Sequence, residues 1–215
     1  LEGQLRKVFS CGLQAGIHAI GDRANRQVLD VYERLIPEYP DNPGRHRVEH
    51  AQILQVEDIP RFRELDVIAA MQPTHATSDM YWADERLGEQ RLAGAYAWQS
   101  LLKSGAHLAF GSDFPVERVD PMLGIFAAVS RQDAGGWPPG GWQPQERLSR
   151  VAAIRAFTLD AAYAGFMEKE TGSLEKGKQA DFIILDRDIM HIPEQDILET
   201  KVVETWVAGK RVFSR

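Results

Sequence analysis

Four polar side chains occur at or just after the ends of short apolar runs. They are His18, His50, His75 and Asp113. Imidazoles and carboxylates are ligands that Zn²⁺ and similar divalent metals accept, and at pH 7 both are available in the neutral or anionic form that a metal requires. The pattern therefore predicts a shared metal site, provided that the fold brings these positions together.

Each of these residues, taken alone, has another interpretation. An isolated histidine at a strand end is more often a hydrogen-bonded structural group than a metal ligand. Asp113, in the segment GSDFP, is equally suited to capping the turn that follows it. The recurrence of polar groups at the same point of successive strand and helix units favours the shared site.

The apolar runs alternate with segments of helical spacing, which indicates an α/β fold. The predicted strands lie at residues 13–20, 47–50, 67–71 and 107–113. The predicted helices lie at about residues 25–38, 60–65, 85–104 with an interruption near Gly94, 121–130 and 148–166. Positions 18, 50, 75 and 113 are 32, 25 and 38 residues apart. A (β/α)8 barrel averages about 30 residues per unit, and the carboxyl ends of its strands face one pocket.

A Rossmann-type sheet would show similar spacing between its strands. However, Gly21 stands alone after the first strand, and no strand is followed by a GxGxxG loop. The same observation argues against a nicotinamide-dependent oxidoreductase, which is one alternative function.

The C-terminal residues differ in pattern from the rest of the chain. The segment KVVETWVAGKRVF predicts a β-hairpin with its turn at Ala208-Gly209. We therefore predict two parts, a partial barrel over residues 1–170 and a small β-module over residues 171–215.

Composition restricts the class of protein. The chain has 215 residues, 44% hydrophobic and 26% charged, with a net charge of −6 and no basic patch, so we expect no nucleic-acid partner. No apolar run approaches the ~20 residues of a membrane span. The single Cys11 excludes an internal disulfide and is consistent with the cytoplasm. Because Leu1 opens within a helical pattern, we expect a fragment of a longer chain.

Four segments, HAIGDRANRQVLD, RHRVEHAQ, MQPTHATSD and GSDFPVE, occur in the order found in one family. They resemble the second half of the amidohydrolase superfamily barrel, and amidohydrolase family 3 in particular. The tail TGSLEKGKQADFIILDRDI is similar to the segment with which these enzymes return to a β-sandwich beside the barrel. The resemblance implies strands 5 to 8 of a TIM-type (β/α)8 metal-dependent hydrolase barrel, followed by the C-terminal strands of a composite β-sandwich.

The resemblance also implies roles for the candidate ligands. His18 and His50 would be metal ligands after strands 5 and 6. Asp113 would end strand 8, touch the metal and act as the catalytic group that accepts and returns a proton. The implied cofactor is a divalent metal, with zinc the first choice, and the intact enzyme would hold one or two ions.

The remaining implied roles concern the substrate. His75, after strand 7, would be a second catalytic group facing the substrate, and Asp22 and Arg23 would organise the wall of the pocket. The implied reaction is hydrolysis of a carbon–nitrogen bond, other than a peptide bond, in an amide-type small molecule. Amides, cyclic imides, formamides and carbamates all remain open as substrates.

The sequence departs from the family pattern at its start. It has no HxH pair, and the lysine that many members use on strand 4 falls outside it. We therefore expect the isolated chain to be inactive and to associate, as a homo-oligomer or through exposed barrel edges. The alternative function is a non-catalytic truncated barrel that serves as a binding or assembly module.

Overall fold

The computed structural model describes all of residues 1–215. Ten α-helices and seven strands follow one another along the chain, and the helices and strands alternate over the first half. In chain order they are α1 Glu2–Ser10, β1 Gly16–Ala19, α2 Asp22–Leu35, β2 Arg47–His50, α3 Ile59–Glu64, β3 Ile68–Met71, α4 Pro73–Asp79, α5 Ala83–Leu87, α6 Glu89–Leu92, α7 Trp98–Ser104, β4 Leu108–Phe110, α8 Pro121–Ser130, α9 Arg150–Phe157, α10 Leu159–Ala164, β5 Phe182–Leu185, β6 Val202–Val207 and β7 Lys210–Ser214.

Residues 1–72 and 79–109 form one compact unit around a four-stranded sheet in the order β1-β2-β3-β4. Strand β2 runs parallel to both neighbours, with Gly16 opposite Arg47 and Arg47 opposite Ile68. The sheet confirms the predicted α/β arrangement of successive strands. Because the strands are parallel, the carboxyl ends of β1, β2 and β3 lie at one edge of the sheet, and His18 and His50 lie near this edge.

Helix α2 covers the sheet with an apolar face. Val28, Leu29, Tyr32 and Leu35 recur at helical spacing on this face, and all four are buried. The hydroxyl of Tyr32 donates hydrogen bonds to the carbonyl oxygens of Ala15, at 3.3 Å, and Arg47, at 2.9 Å. The helix is thus held both by packing and by polar contacts to the starts of two strands.

His46 has a structural role in the first unit. Its ring is stacked on Phe9, with the ring centroids 4.0 Å apart, and lies 5.4 Å from the ring of Tyr32. Its Nδ1 accepts a hydrogen bond of 3.1 Å from the backbone N–H of Ala15. Burial lowers the pKa of His46 from 6.5 to about 4, and the bond to Nδ1 also requires the unprotonated ring.

Acid should therefore destabilise the fold through His46. The unfolded chain takes up a proton on this residue near pH 6.5, whereas the folded chain does so only near pH 4. The stability contributed by neutral His46 is complete above pH 6.5 and is lost as the pH falls toward 4, a loss of about 3 kcal/mol. Urea unfolding at several pH values measures the slope of the unfolding free energy against pH. We expect a shallower slope in His46→Gln and an unchanged slope in the control His191→Gln, whose ring is exposed. Equal slopes in wild type and His46→Gln would contradict the assignment.

Residues 73–78 and 110–215 form the second compact unit. Its helical part has a core that includes Phe126 of α8, Ala153 of α9 and Ile197 of a 3-10 helix, all buried. Helix α8 has the predicted bounds because Asp120 caps its first turn, accepting from the backbone N–H of Met122 at 3.0 Å.

The second unit also contains an antiparallel sheet in the order β5-β6-β7. The predicted hairpin is confirmed, with Ala208 and Gly209 both at positive φ between β6 and β7. The carboxylate of Asp181 accepts a hydrogen bond of 2.7 Å from the backbone N–H of Ala208 and so supports the turn. This sheet lies within the predicted β-module, and the boundary at residue 170 stays a prediction.

Two predicted helices were wrong in their extent. The helix expected over residues 148–166 is divided at Thr158, whose φ and ψ of −123° and −91° are not helical and whose hydroxyl donates to the Ile154 carbonyl oxygen at 2.7 Å. The region expected over residues 85–104 contains α5, α6 and α7. It is interrupted at Gly94, as predicted. Glycine is required at this position, because a Cβ there would lie 1.8 Å from the carbonyl oxygen of Leu54.

None of the helices combines the length and the apolar character that are needed to cross a lipid bilayer.

Candidate functional site

His18 and His50 approach each other in the first unit. His18 lies in β1 and is exposed, whereas His50 is the last residue of β2 and is half-buried. The parallel register places His50 opposite Ala19, one residue beyond His18. Their ring centroids are 4.5 Å apart and their planes are inclined by 75°. Adjacent strands thus bring these two imidazoles close together.

The backbone is unusual where β2 ends. His50 and Ala51 have φ values of 77° and 45°, a left-handed conformation that costs a non-glycine residue roughly 1–3 kcal/mol. The chain is then held in place by backbone hydrogen bonds of 2.9 Å from Ile53 N–H to the Ile20 carbonyl and 2.6 Å from Tyr96 N–H to the Gln52 carbonyl. These bonds fix the turn that determines where the His50 ring points.

His75 and Asp113 approach each other in the second unit. Nε2 of His75 lies 3.6 Å from Oδ2 of Asp113, and His75 is buried while Asp113 is half-exposed. His75 does follow the third strand, but it lies in the first turn of α4 rather than at the strand end itself. Asp113 follows β4 by three residues, because that strand ends at Phe110.

The side chain that caps this turn is that of Ser112 and not that of Asp113. The backbone N–H of Phe114 is bonded to the Ser112 hydroxyl at 3.2 Å, so the serine provides the side-chain contact in this turn. Asp113 has a φ of 58°, which again places a non-glycine residue in the left-handed region at the end of a strand segment.

Asp22 is engaged in an ion pair that the sequence did not predict. Both of its carboxylate oxygens accept from the guanidinium of Arg91, at 2.8 and 3.0 Å, and Oδ1 also accepts from the backbone N–H of Arg23. Burial raises the pKa of Asp22, but the bonds from Arg91 outweigh it and the net shift is downward. Arg91 of α6 therefore contacts a predicted pocket residue, while the Arg23 side chain is exposed.

Asn25, in the same GDRAN segment, has a role that sequence reasoning missed. It is fully buried at the start of α2. Its Nδ2 lies 3.0–3.3 Å from four carbonyl oxygens, those of Ala19, Ile20, Gly21 and Ile53. One amide thus joins the end of β1 to the segment that follows β2, and so supports the positions of both His18 and His50. The polar residue within an apolar helix face was the available signal.

The remaining histidines and tryptophans lie in other settings. His107 precedes β4, with its Nε2 3.9 Å from Asp66, and His191 is exposed beside Asp188. Trp142 is buried and packs with Arg131, whose guanidinium carbon lies 5.1 Å from the ring centroid, so this ring is a packing residue. Trp137 is about half-exposed.

The donor set is chemically suited to a divalent metal. The first unit offers the imidazoles of His18 and His50, and the second unit offers the imidazole of His75 and the carboxylate of Asp113. Imidazole nitrogen combined with carboxylate oxygen is the donor set of many catalytic zinc sites. The left-handed backbone at His50 and Asp113 indicates that these side chains are aimed by constrained turns rather than by regular strand geometry.

Known proteins are similar to this chain in sequence and in fold. A family model described as an amidohydrolase family matches residues 5–213. Protein LONG AFTER FAR-RED 3 of Arabidopsis thaliana is 40% identical over 206 residues, which cover 94% of this chain and 34% of that protein. The N-substituted formamide deformylase of Arthrobacter pascens is 28% identical over 208 residues, which cover 95% of this chain and 37% of that protein.

A solved structure extends the comparison to the fold. The crystal structure of an uncharacterized metal-dependent hydrolase from Pyrococcus horikoshii OT3 matches with a TM-score of 0.77 and 33% identity, covering 90% of this chain and 38% of that one. The chain thus spans about a third to two fifths of the length of the proteins that it matches. With a family model that matches nearly its whole length, the chain belongs to amidohydrolase family 3.

Proposed function

We propose that this chain carries part of the active site of a metal-dependent hydrolase that cleaves a carbon–nitrogen bond in an amide-type small molecule. The observation that carries the proposal is the pairing of the candidate residues: the rings of His18 in β1 and His50 at the end of β2 have centroids 4.5 Å apart, and His75 Nε2 lies 3.6 Å from Asp113 Oδ2. Membership of an amidohydrolase family and the likeness to a metal-dependent hydrolase support it. The formamide deformylase among the relatives favours an N-substituted formamide as the first substrate to test.

In this proposal the sheet of β1 to β4 belongs to a TIM-type barrel, and β5 to β7 belong to a β-sandwich. His18, His50 and Asp113 would hold the metal, with zinc the first choice because of the mixed imidazole and carboxylate donors. When bound, the metal lowers the pKa of a coordinated water toward ~7 and so supplies a nucleophile at neutral pH.

The chain's own residues would move the protons. The Asp113 carboxylate accepts a proton from the attacking water as the water oxygen bonds to the substrate carbonyl carbon. The carbon–nitrogen bond then breaks, and Asp113 returns the proton to the leaving nitrogen, so that amide and water yield an acid and an amine. His75, whose Nε2 lies 3.6 Å from Asp113 Oδ2, would polarise the carbonyl oxygen.

Hydrolysis assays of the full-length protein test this function directly. Hydrolysis of an N-substituted formamide, a simple amide, a cyclic imide and a carbamate should be measured before and after treatment with a chelator. We expect one of these classes to be hydrolysed, the activity to be lost with the metal and the activity to return with added zinc. Undiminished hydrolysis by the metal-free protein would exclude the metal mechanism. Tight zinc binding without turnover of any class would favour the binding-module alternative.

Removal of one ligand should weaken metal binding. We expect His50→Ala to lower zinc affinity more than about 100-fold, beyond the 10–100-fold that is typical when only an outer-shell partner is lost. The control is His107→Ala, because His107 lies before β4 and not at a carboxyl end. Zinc titration of both variants measures the difference, and equal affinities would remove His50 from the site.

A further inference from the structure

The side chain of His50 contacts that of Gln72, a residue just beyond the end of the neighbouring strand. Gln72 directly follows β3, which is the parallel neighbour of β2, and both residues belong to the first unit. Nδ1 of His50 lies 2.8 Å from Oε1 of Gln72, a good hydrogen-bond distance. The two residues lie at the ends of different strands, so this contact depends on the pairing of β2 with β3.

The orientation of the Gln72 amide decides which nitrogen of His50 carries the proton. Nε2 of Gln72 lies 3.5 Å from the carbonyl oxygen of Ala70, which can only accept. The amide nitrogen therefore faces Ala70 and the amide oxygen faces His50. An amide oxygen can only accept, so Nδ1 of His50 is the donor. In the neutral ring the lone pair then lies on Nε2.

We propose that Gln72 is a positioning residue that holds His50 in the Nδ1–H tautomer and presents Nε2 as the metal-binding nitrogen. The consequence for metal binding rests on the function proposed above, whereas the tautomer itself does not. A ligating histidine commonly donates its other ring N–H to a polar partner, which fixes both the tautomer and the ring angle. The need is strong at this position because His50 and Ala51 both have left-handed backbone, and strand geometry alone does not aim the ring.

Two substitutions at Gln72 distinguish the effect of its acceptor oxygen from the effect of its side-chain size. Gln72→Met keeps the length and removes the acceptor oxygen, whereas Gln72→Glu keeps an acceptor oxygen at the same position. Gln99→Met is the matched control, because Gln99 is also half-buried but lies on α7. Gln72 is half-buried as well, and thermal unfolding of each variant checks that its fold is retained.

The first measurement is the tautomer of His50 in the metal-free, full-length protein, read from ring ¹⁵N chemical shifts. We expect Nδ1–H in wild type, Gln72→Glu and Gln99→Met, and loss of that preference in Gln72→Met. The second measurement is zinc titration, in which Gln72→Met should lose about 10–100-fold in affinity and Gln72→Glu should stay close to wild type.

The outcomes separate this inference from the proposed function. An Nε2–H tautomer in wild type, or an unchanged tautomer in Gln72→Met, would overturn the positioning role even if zinc binds tightly. Zinc affinity in Gln72→Met equal to that of wild type would overturn it as well. A wild-type protein that binds no zinc would instead reject the metal site itself, and with it the stated reason for the tautomer.

Discussion

Replacing Asp113 by asparagine in the full-length protein should lower kcat by about 10²–10⁴-fold, the range that a positioned general acid–base contributes. Asparagine has nearly the same shape but cannot take up and return the proton. It also tolerates the left-handed backbone at this position, where φ is 58°, so the turn after β4 should be retained. The measurement is kcat with the substrate class identified for the wild type, together with the metal content of the same sample.

Asp66→Asn is a close control for this prediction. Asp66 also has a positive φ, of 52°, and it also lies beside a histidine, 3.9 Å from Nε2 of His107. The substitution therefore makes the same chemical change in a similar backbone setting, before β3 instead of after β4. We expect its kcat to remain near that of wild type. A kcat of Asp113→Asn within a few-fold of wild type would show that Asp113 does not move the proton.

The second large effect is expected at Asn25. Replacing it by aspartate exchanges an NH₂ group for an oxygen that faces four carbonyl oxygens within 3.0–3.3 Å. The side chain is fully buried, so a charge there has neither water nor a counter-ion in this contact. An uncompensated buried charge costs about 3–5 kcal/mol, and we expect a loss of this size in the free energy of unfolding. Urea unfolding at pH 7 measures it.

Two further variants show whether the charge or the lost bonds dominate. Asn25→Ala removes the donors without adding a charge and should cost less, about 1–3 kcal/mol. Gln27→Glu adds the same charge two residues away on the exposed side of α2, and should change stability little. An unfolding free energy of Asn25→Asp within about 1 kcal/mol of wild type would mean that this amide does not hold the end of β1.

The strands and the order of the candidate residues could be predicted from the sequence. Short apolar runs bounded by polar turns determine where strands form, and β2 and α8 have the predicted bounds. The hairpin at Ala208-Gly209 was also predicted, because a turn of this kind depends on local residue types. Local interactions are sufficient for these features, since each concerns residues close together in the chain.

Helix ends and the position of His75 were less predictable. The break at Thr158 has no glycine or proline to mark it, and the residue remains compatible with a helix in isolation. His75 was expected at a strand end, but α4 begins at Pro73, two residues before it. Proline favours the first turn of a helix as well as a loop, so the pattern was ambiguous.

Sequence alone determined the family pattern, the parallel strand and helix units, and the residue types that a metal would bind. The tertiary structure decided which polar groups meet: Arg91 with Asp22 across 69 residues, Asn25 with the segment after β2, and Gln72 with His50. The physical reason is that a hydrogen bond needs its two atoms within about 3 Å, and only strand pairing and helix packing set such distances between residues remote in the chain. Apolar periodicity predicts which face of a helix or strand is buried, but not which element that face contacts.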